Sequence, residues 1–389
     1  MAATKGLPGE DRGPVSPLHA LMTAALALPI LVTPTRASAE GNEIGFNVLG
    51  YKERGLMKVT EPVLWGRGTL FEVWDIEASA AIDIVTGASA QFVGNSSGKP
   101  VQTISGASIN DRRNTQDIKV TRHIGDFSIG ASRTVSDEED YNSKAYGIEA
   151  KWDLNQKNTT LVASFGKSND RVGSSDDPTL NAPRYTKEYL VGITQLLSPV
   201  DLIQSTLSTS RGEGDYNDPY KFTVTFFPGG GASVMPDTRP GHRNTVSWLT
   251  RYRRFFPDSG GAFQAEYRYY HDDWGITAHT FEAGWEQAID DRWSVRPGLR
   301  YYTQGAADFY SPVITQPQPA VLSSDQRLGS WGGLSPTLRV VAHLDRDWRI
   351  EGTLGYVQNS ASFHWGGSGS EAFSTLRAVY GILGISHPF

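Results

Sequence analysis

The carboxy-terminal stretch 375–389, TLRAVYGILGISHPF, is the basis of the fold prediction for this chain. Val379, Leu383 and Ile385 share the alternate positions that lead to the terminal Phe389. Apolar residues with a period of two indicate a β-strand with one apolar face, and this pattern is typical of a final lipid-facing strand of a closed barrel. The stretch therefore predicts an outer-membrane β-barrel.

The terminal stretch also departs from this pattern. His387 stands where an apolar or aromatic residue is expected, and Pro388 removes one donor from the strand ladder. Tyr380 and Ile382 fall on the parity that would face the lumen. We interpret Phe389 as a recognition end for the barrel-assembly machinery, and the barrel prediction rests mainly on the strands before it.

The same alternation recurs from residue 40 onward. Between residues 74 and 85 one parity is wholly apolar, whereas the other carries three carboxylates, and 144–154 alternates as cleanly. We predict an all-β fold, a closed antiparallel transmembrane β-barrel of about sixteen strands with short periplasmic turns and long extracellular loops. The predicted strands are 44–51, 57–70, 74–85, 117–124, 127–135, 144–154, 159–167, 185–196, 202–210, 243–255, 262–270, 276–288, 293–302, 328–344, 348–363 and the terminal strand.

The two longest predicted loops are at 87–116 and 211–242. Within the second, segment 221–227 precedes three glycines and is a candidate for an extra hairpin above the barrel. Four tryptophans lie beside predicted short turns, which indicates an aromatic girdle at a membrane interface, with core packing as the alternative. They are Trp74, Trp152, Trp293 and Trp348.

The amino terminus predicts export. The chain has 389 residues, no Cys, a net charge of -6 and a mean hydropathy of -0.36, so it lacks the apolar runs of a helical membrane protein and the basic surface of a nucleic-acid-binding protein. Lys5 and Arg12 precede an apolar run at 18–32 and an Ala-Ser-Ala site at 37–39. We predict a cleaved signal peptide at 1–39 and an outer-membrane barrel at 40–389, since Pro29 and the shortness of the run disfavour an anchoring helix.

Charged residues of both signs lie on the parity predicted to face the lumen. Arginines and carboxylates on neighbouring strands are expected to pair across the wall, either as a structural network or as an ion-selectivity device. The candidates are Asp75, Glu77, Asp83, Glu149, Lys151, Arg251, Arg253, Glu266, Arg268, Glu282, Glu286, Arg296 and Arg300.

Sequence patterns for catalysis are weak. His271, Asp272 and His279 lie near one predicted loop, but neighbouring His and Asp residues in a turn are usually solvated. The acidic segments 137–140 and 176–177 are candidates for divalent cations, although such runs are more often solvated loop tips. We expect no enzymatic activity, no cofactor and no metal.

Several loop and strand-end segments resemble an uncharacterised family of outer-membrane barrels of Gram-negative bacteria, known as a domain of unknown function. The segments are SGAS at 105–108, NDR at 110–112, VTRH at 120–123, DPYK at 218–221, 239–243, YRYY at 267–270, Trp274, LRYYTQ at 299–304, DFY at 308–310 and SDQRL at 324–328. The resemblance implies an outer-membrane barrel without an assigned activity.

These segments lie mainly at strand tops and in loops, which motivates a hypothesis of a loop plug or partner site on the extracellular side. Its candidate residues are Ser105, Asp111, Arg112, Asp218, Tyr220, Asp308, Tyr310, Asp325 and Arg327.

Two functions follow as hypotheses. The first is a porin-like channel for small polar solutes or ions. The alternative is a loop-plugged barrel that acts as a scaffold or sheath for an envelope partner, from a redox or export system. Both predict contact with outer-membrane lipid and with the barrel-assembly machinery, and neither involves nucleic acid.

Deletion of Phe389 tests the interpretation of the terminal strand. We expect less heat-modifiable barrel in the outer membrane, because the assembly machinery would lose its recognition end. Gel mobility of unheated and heated membrane fractions measures this, and unchanged assembly would refute the role given to Phe389.

Overall fold

A closed antiparallel barrel of sixteen strands forms the body of the molecule. The computed structural model describes residues 42–87, 90–96, 99–104, 109–227, 229–314 and 320–389. The wall strands are β1 Glu43–Glu53, β2 Met57–Leu70, β3 Trp74–Gly87, β6 Ile109–Ile124, β7 Phe127–Asp137, β8 Tyr141–Leu154, β9 Thr159–Val172, β10 Ala182–Ser198, β11 Asp201–Gly214, β14 His242–Phe256, β15 Gly261–Asp272, β16 Thr277–Ala288, β17 Trp293–Gln304, β18 Trp331–His343, β19 Arg349–Ser360 and β20 Leu376–Pro388. Two separate hairpins are β4 Ala90–Ser96 with β5 Lys99–Ile104, and β12 Phe222–Phe226 with β13 Ala232–Pro236.

The first and last strands close the barrel. β1 pairs with β20 in antiparallel register from Glu43 opposite Pro388 to Glu53 opposite Ala378. Each wall strand thus has two neighbours, and the wall has no open edge with unpaired backbone groups. The predicted fold class and the number of strands are confirmed.

The wall has an apolar outer face and a more polar inner face. Leu354 and Leu383 are each 64% exposed on the outside, whereas Thr353, which precedes Leu354 and lies on the inner face, is 7% exposed. In β20, Val379 and Ile385 lie on the outer face with Leu383, and Tyr380 is buried. The terminal strand therefore has the two faces that its alternation predicts.

The two ends of the barrel differ. One end, called here the short-turn end, has connections of two to five residues at 71–73, 125–126, 155–158, 199–200, 257–260, 289–292 and 344–348. The other, the long-loop end, carries the connections 54–56, 88–108, 138–140, 173–181, 215–241, 273–276, 305–330 and 361–375. Trp152, Trp293 and Trp348 are exposed at the short-turn end, as expected for an aromatic girdle.

The predicted loop 87–116 is wrong in part. It contains the hairpin of β4 and β5, and β6 begins at Ile109, so Asp111 and Arg112 belong to a wall strand. The reason is that the wall extends beyond its apolar belt, where hydrophobic alternation stops but the backbone ladder continues. By contrast, the extra hairpin expected from segment 221–227 is confirmed, because β12 pairs with β13 in antiparallel register.

Residues 1–41, which include the predicted signal peptide 1–39, lie outside the described residues. In the described part of the chain, helices long and apolar enough to cross a bilayer are absent.

Gly214 is the position at which β11 leaves the wall. Its φ is +129°, and a Cβ there would lie 2.2 Å from the carbonyl oxygen of Pro183. We expect Gly214→Ala to cost about 1–3 kcal/mol of unfolding free energy, because the strained backbone would also clash. Gly50→Ala is the control, since a Cβ at Gly50 meets no atom within 4 Å. Urea unfolding of the refolded barrel measures both, and equal midpoints would contradict this prediction.

Candidate functional site

A row of charged side chains crosses the inner face of four strands, β14 to β17. In the ladder Arg251 lies opposite Glu266, Glu266 opposite Glu282, and Glu282 opposite Arg300. Two adjacent glutamates repel. Each has an arginine partner, with 2.5 Å from Arg251 Nε to Glu266 Oε2 and 3.1 Å from Arg300 Nε to Glu282 Oε1. Arg268 adds a longer contact to Glu266, so the predicted pairing across the wall is present here.

Similar pairs lie on the opposite side of the lumen. Asp83 Oδ2 is 2.5 Å from Arg113 Nη2. Glu149 Oε1 contacts Lys119 Nζ at 2.9 Å and Lys151 Nζ at 3.0 Å. Arg113 and Lys119 were not among the predicted residues. Arg113 lies in the part of β6 that was predicted as a loop, whereas Lys119 lies within the predicted strand 117–124.

The other predicted lumen residues lie toward the short-turn end. They are Asp75, Glu77, Arg253, Glu286 and Arg296. Asp75 Oδ2 is 2.6 Å from His123 Nε2, and Ser294 Oγ donates to Glu286 Oε1 at 3.4 Å. The inner face is thus charged over most of its height.

Two long loops fold together to form a roof at the long-loop end. They are the hairpin loop, residues 215–241, and the proline-rich loop, residues 305–330. The amide of Phe226 donates to the carbonyl of Ile314 at 2.7 Å, and Thr238 and Leu322 exchange two backbone hydrogen bonds of 3.1 and 3.0 Å. Ile314 is only 1% exposed, so the junction between the two loops is packed.

A six-charge cluster holds the two loops together. Its members are Asp218, Lys221, Asp237, Arg239, Asp325 and Arg327. Arg327 donates to Asp218 Oδ2 at 2.7 Å and, through Nε, to Asp325 Oδ2 at 2.7 Å. Arg239 donates to Asp237 Oδ2 at 2.7 Å and to Asp325 Oδ2 at 3.0 Å. The formal charges of the three cations and the three carboxylates cancel, and this compensation lowers the free-energy cost of burying them.

The carboxylate of Asp325, at the centre of the cluster, stays ionised at neutral pH. Burial disfavours the carboxylate of Asp325, but the charges of Arg327, Lys221 and Arg239 outweigh burial and hold the pKa of Asp325 well below its usual range. A lowered pKa in the folded state stabilises the fold above the unfolded pKa of about 3.9, and this contribution is lost as pH falls through the folded value. The sequence predicted Asp218, Asp325 and Arg327 as site residues, and the structure brings these three together.

Apolar packing supports the roof beside this cluster. Trp274, Ala307 and Leu328 are buried in a common core, against which Phe309 and Tyr310 pack. The neighbouring Asp308 is exposed, and its amide donates to the carbonyl of Trp274 at 2.8 Å. The predicted Asp308 and Tyr310 therefore join the roof from the proline-rich loop.

Tyr220 ties the hairpin loop to the rim of the wall. Its hydroxyl donates to Asp140 Oδ2 in the turn between β7 and β8, and it accepts from the amide of Ser175 at 3.1 Å. Burial raises the pKa of Asp140 to about 6; the Tyr220 hydrogen bond opposes this rise, and the nearby carboxylate of Asp111 adds to it.

The remaining predicted loop residues are separate from the roof. Asp111 is buried on the inner face of β6, near Asp140. Arg112 is exposed and has the opposite parity, so it lies on the outer face. Ser105 lies outside the described residues.

A cavity of about 890 Å³ with charged side chains in its lining lies beneath the roof, inside the barrel. Among the described residues, seven Lys or Arg side chains and four carboxylates line it, an excess of three positive charges, and Tyr216, Tyr270 and Tyr302 add ring surface. Some of the cations have partners set back in the wall, such as Arg243 with Asp272 at 2.7 Å. The volume is within the range of small-molecule sites.

Sequence reasoning missed Lys221, Asp237 and Arg239 of the cluster. Lys221 and Arg239 lie within the family-like segments 218–221 and 239–243, which was the available signal. His271 and Asp272, which were considered as a weak catalytic pattern, point to opposite faces of the wall. Asp272 faces inward to Arg243, whereas His271, the preceding residue, has the outward parity and contacts Thr277 Oγ1 at 3.0 Å.

Arg327→Ala tests the role of the cluster. We expect hydrogen exchange in 215–241 and 305–330 to accelerate while the wall strands stay protected, because two buried carboxylates would lose their main partner at a cost of about 3–5 kcal/mol. Arg292→Ala is the control, since Arg292 and its partner Asp345 are exposed at the short-turn end. Unchanged exchange in both loops would contradict a locking role.

Several solved structures have a similar fold. CdiB from Acinetobacter baumannii superposes with a TM-score of 0.53 at 7% identity, over 90% of this chain and 61% of that chain. This chain therefore spans less than two thirds of CdiB. A bacterial polysaccharide outer membrane secretin has a TM-score of 0.48 at 9% identity, with 90% and 99% covered. The toluene transporter TodX of Pseudomonas putida has a TM-score of 0.41 at 12% identity, with 90% of each chain covered.

At these identities the likeness concerns the fold alone. No curated protein matches the chain in sequence. One family does match, over residues 18–184 and 174–376, and this confirms the resemblance noted from the loop segments. The chain thus belongs to the family described as Protein of unknown function (DUF3570).

Proposed function

We propose that the protein is an outer-membrane channel for small polar solutes, with a preference for anions, and that its roof acts as a gate. The cavity beneath the roof is the observation that carries this proposal. A lumen with this many charged side chains holds water, and small solutes enter such a space without losing all of their hydration.

A location in the outer membrane is supported by the surface of the wall. Side chains on the outer face are apolar and exposed over the middle of the strands, including Ile148, Val191, Leu354 and Leu383. A soluble protein rarely leaves so large a continuous apolar surface in water, whereas a bilayer covers it. The exposed tryptophans at the short-turn end suit one membrane interface.

The preference for anions is supported by the charges around the cavity. Seven cationic side chains and four carboxylates line it. The side chain of Arg268, one of the seven, is 36% exposed. Its contact with Glu266 is long, at 3.5 Å, and Glu266 is already paired with Arg251, so Arg268 is available to a solute. Rings of Arg and Lys favour anions in pores.

The gate is supported by the kind of contacts that hold the roof. Ion pairs and a few backbone bonds join the hairpin loop to the proline-rich loop, and the shared apolar core is small. Loops held in this way open at a lower free-energy cost than the wall itself.

The six-charge cluster also favours a second candidate, a permanently plugged barrel that acts as a scaffold or sheath for an envelope partner. Buried ion pairs that break only at high cost would keep the roof shut. Both candidates treat the protein as non-catalytic and without a cofactor.

Planar-bilayer conductance of the refolded protein separates the two candidates. For a gated channel we expect small or infrequent open steps in the unmodified protein and severalfold larger or more frequent steps in Arg327→Ala, because the roof is released. Arg268→Ala should lower the anion preference measured from the reversal potential in a salt gradient, since it removes a lumen cation.

Arg292→Ala is the matched control, and its conductance should equal that of the unmodified protein. A protein that inserts but stays silent both unmodified and as Arg327→Ala would overturn the channel and support the plugged barrel. Open steps with no change of ion preference in Arg268→Ala would overturn the assigned filter.

A further inference from the structure

Three carboxylates meet at the rim of the long-loop end, outside the six-charge cluster. They are Asp111 near the start of β6, and Glu138 and Asp140 in the turn between β7 and β8. One oxygen from each lies within 4.8 Å of the others. A single ion with bonds of about 2.4 Å bridges oxygens at such separations.

The backbone holds these carboxylates in place. β6 and β7 pair as far as Asn114 opposite Asp137, so Asp111 continues past the ladder toward the turn at 138–140. The turn itself is closed by a bond of 3.0 Å from the Glu138 amide to the Tyr141 carbonyl. The Gly173 amide donates to the Asp140 carbonyl at 2.7 Å. The arrangement is therefore preformed.

A second observation points to a ligand. Asp111 is 8% exposed, and its Oδ2 is buried without a hydrogen-bond partner in the described structure. Its Oδ1 accepts from the Arg112 amide at 2.7 Å. A buried carboxylate oxygen without a donor is costly, and two further carboxylates nearby increase the cost by repulsion. A cation bound between the three groups removes both penalties.

We propose that Asp111, Glu138 and Asp140 form a Ca²⁺ site that fastens the roof to the rim of the barrel. Carboxylate oxygens are hard ligands, and Ca²⁺ accepts the irregular geometry of ligands from a strand and a turn more readily than Mg²⁺, which requires a near-ideal octahedron. Tyr220 donates to Asp140 from the hairpin loop and orients that ligand. Through Tyr220 the ion stabilises the segment that also carries Asp218 of the six-charge cluster.

Calorimetric titration of CaCl₂ into the chelator-treated, refolded chain in zwitterionic detergent tests the site. We expect one Ca²⁺ per chain with a Kd on the order of 10⁻⁴ to 10⁻³ M, the range of extracellular sites. Asp111→Asn should abolish measurable binding, because one charged ligand is lost. Asp176→Asn is the control, since Asp176 is exposed in the neighbouring loop and is not one of the three ligands.

Tyr220→Phe gives a test that leaves all three ligands in place. Its affinity should fall roughly tenfold, as for loss of an orienting hydrogen bond next to a metal ligand. Heat-modifiable mobility checks that each variant is folded. The proposal is overturned if the unmodified chain binds no Ca²⁺, if folded Asp111→Asn binds as well as Asp176→Asn, or if Mg²⁺ binds as tightly as Ca²⁺.

Discussion

The ladder between β1 and β20 is the constraint on which the rest of the structure depends. It joins strands from opposite ends of the chain, from Glu43 with Pro388 to Glu53 with Ala378. Without it the sheet would expose two rows of unpaired amides and carbonyls, which neither a bilayer nor an apolar core tolerates. Once the sheet is closed, alternate residues have fixed destinations, one face outward and one face into the lumen.

Closure also forces charged side chains into a confined space, and this explains their pairing. In the row from Arg251 to Arg300, two glutamates lie side by side and an arginine compensates each of them. Lys119 and Lys151 share Glu149 on the other side of the lumen in the same way. Paired charges support the wall and still present polar atoms to the cavity, so a structural network and a filter for solutes are compatible in the same residues.

The roof depends on a different balance. Its two loops share a small apolar core, three backbone hydrogen bonds, and the ion pairs of Arg239 with Asp325 and of Arg327 with Asp218. The six-charge cluster is strongly selective for one geometry, because a single missing partner leaves a buried charge. In the proposed channel, the roof would therefore be either shut in one arrangement or released as a unit. Tyr220 links this roof to the carboxylates at the rim, where the proposed Ca²⁺ would bind.

The sequence by itself determined the barrel, its sixteen strands and the two faces of β20, because a period of two along the chain is a local property. It also indicated charges on the inner face. The family resemblance placed Asp218, Asp325 and Arg327 among nine candidate loop residues, and the structure brings these three into contact. Tertiary structure alone decided that Lys221, Asp237 and Arg239 complete the cluster, that β6 begins at Ile109, and that Asp111 meets Glu138 and Asp140. Outside the apolar belt both faces of a strand are wet and hydrophobic alternation disappears. There the position of a side chain depends on long-range ladder register and loop packing, which local sequence does not encode.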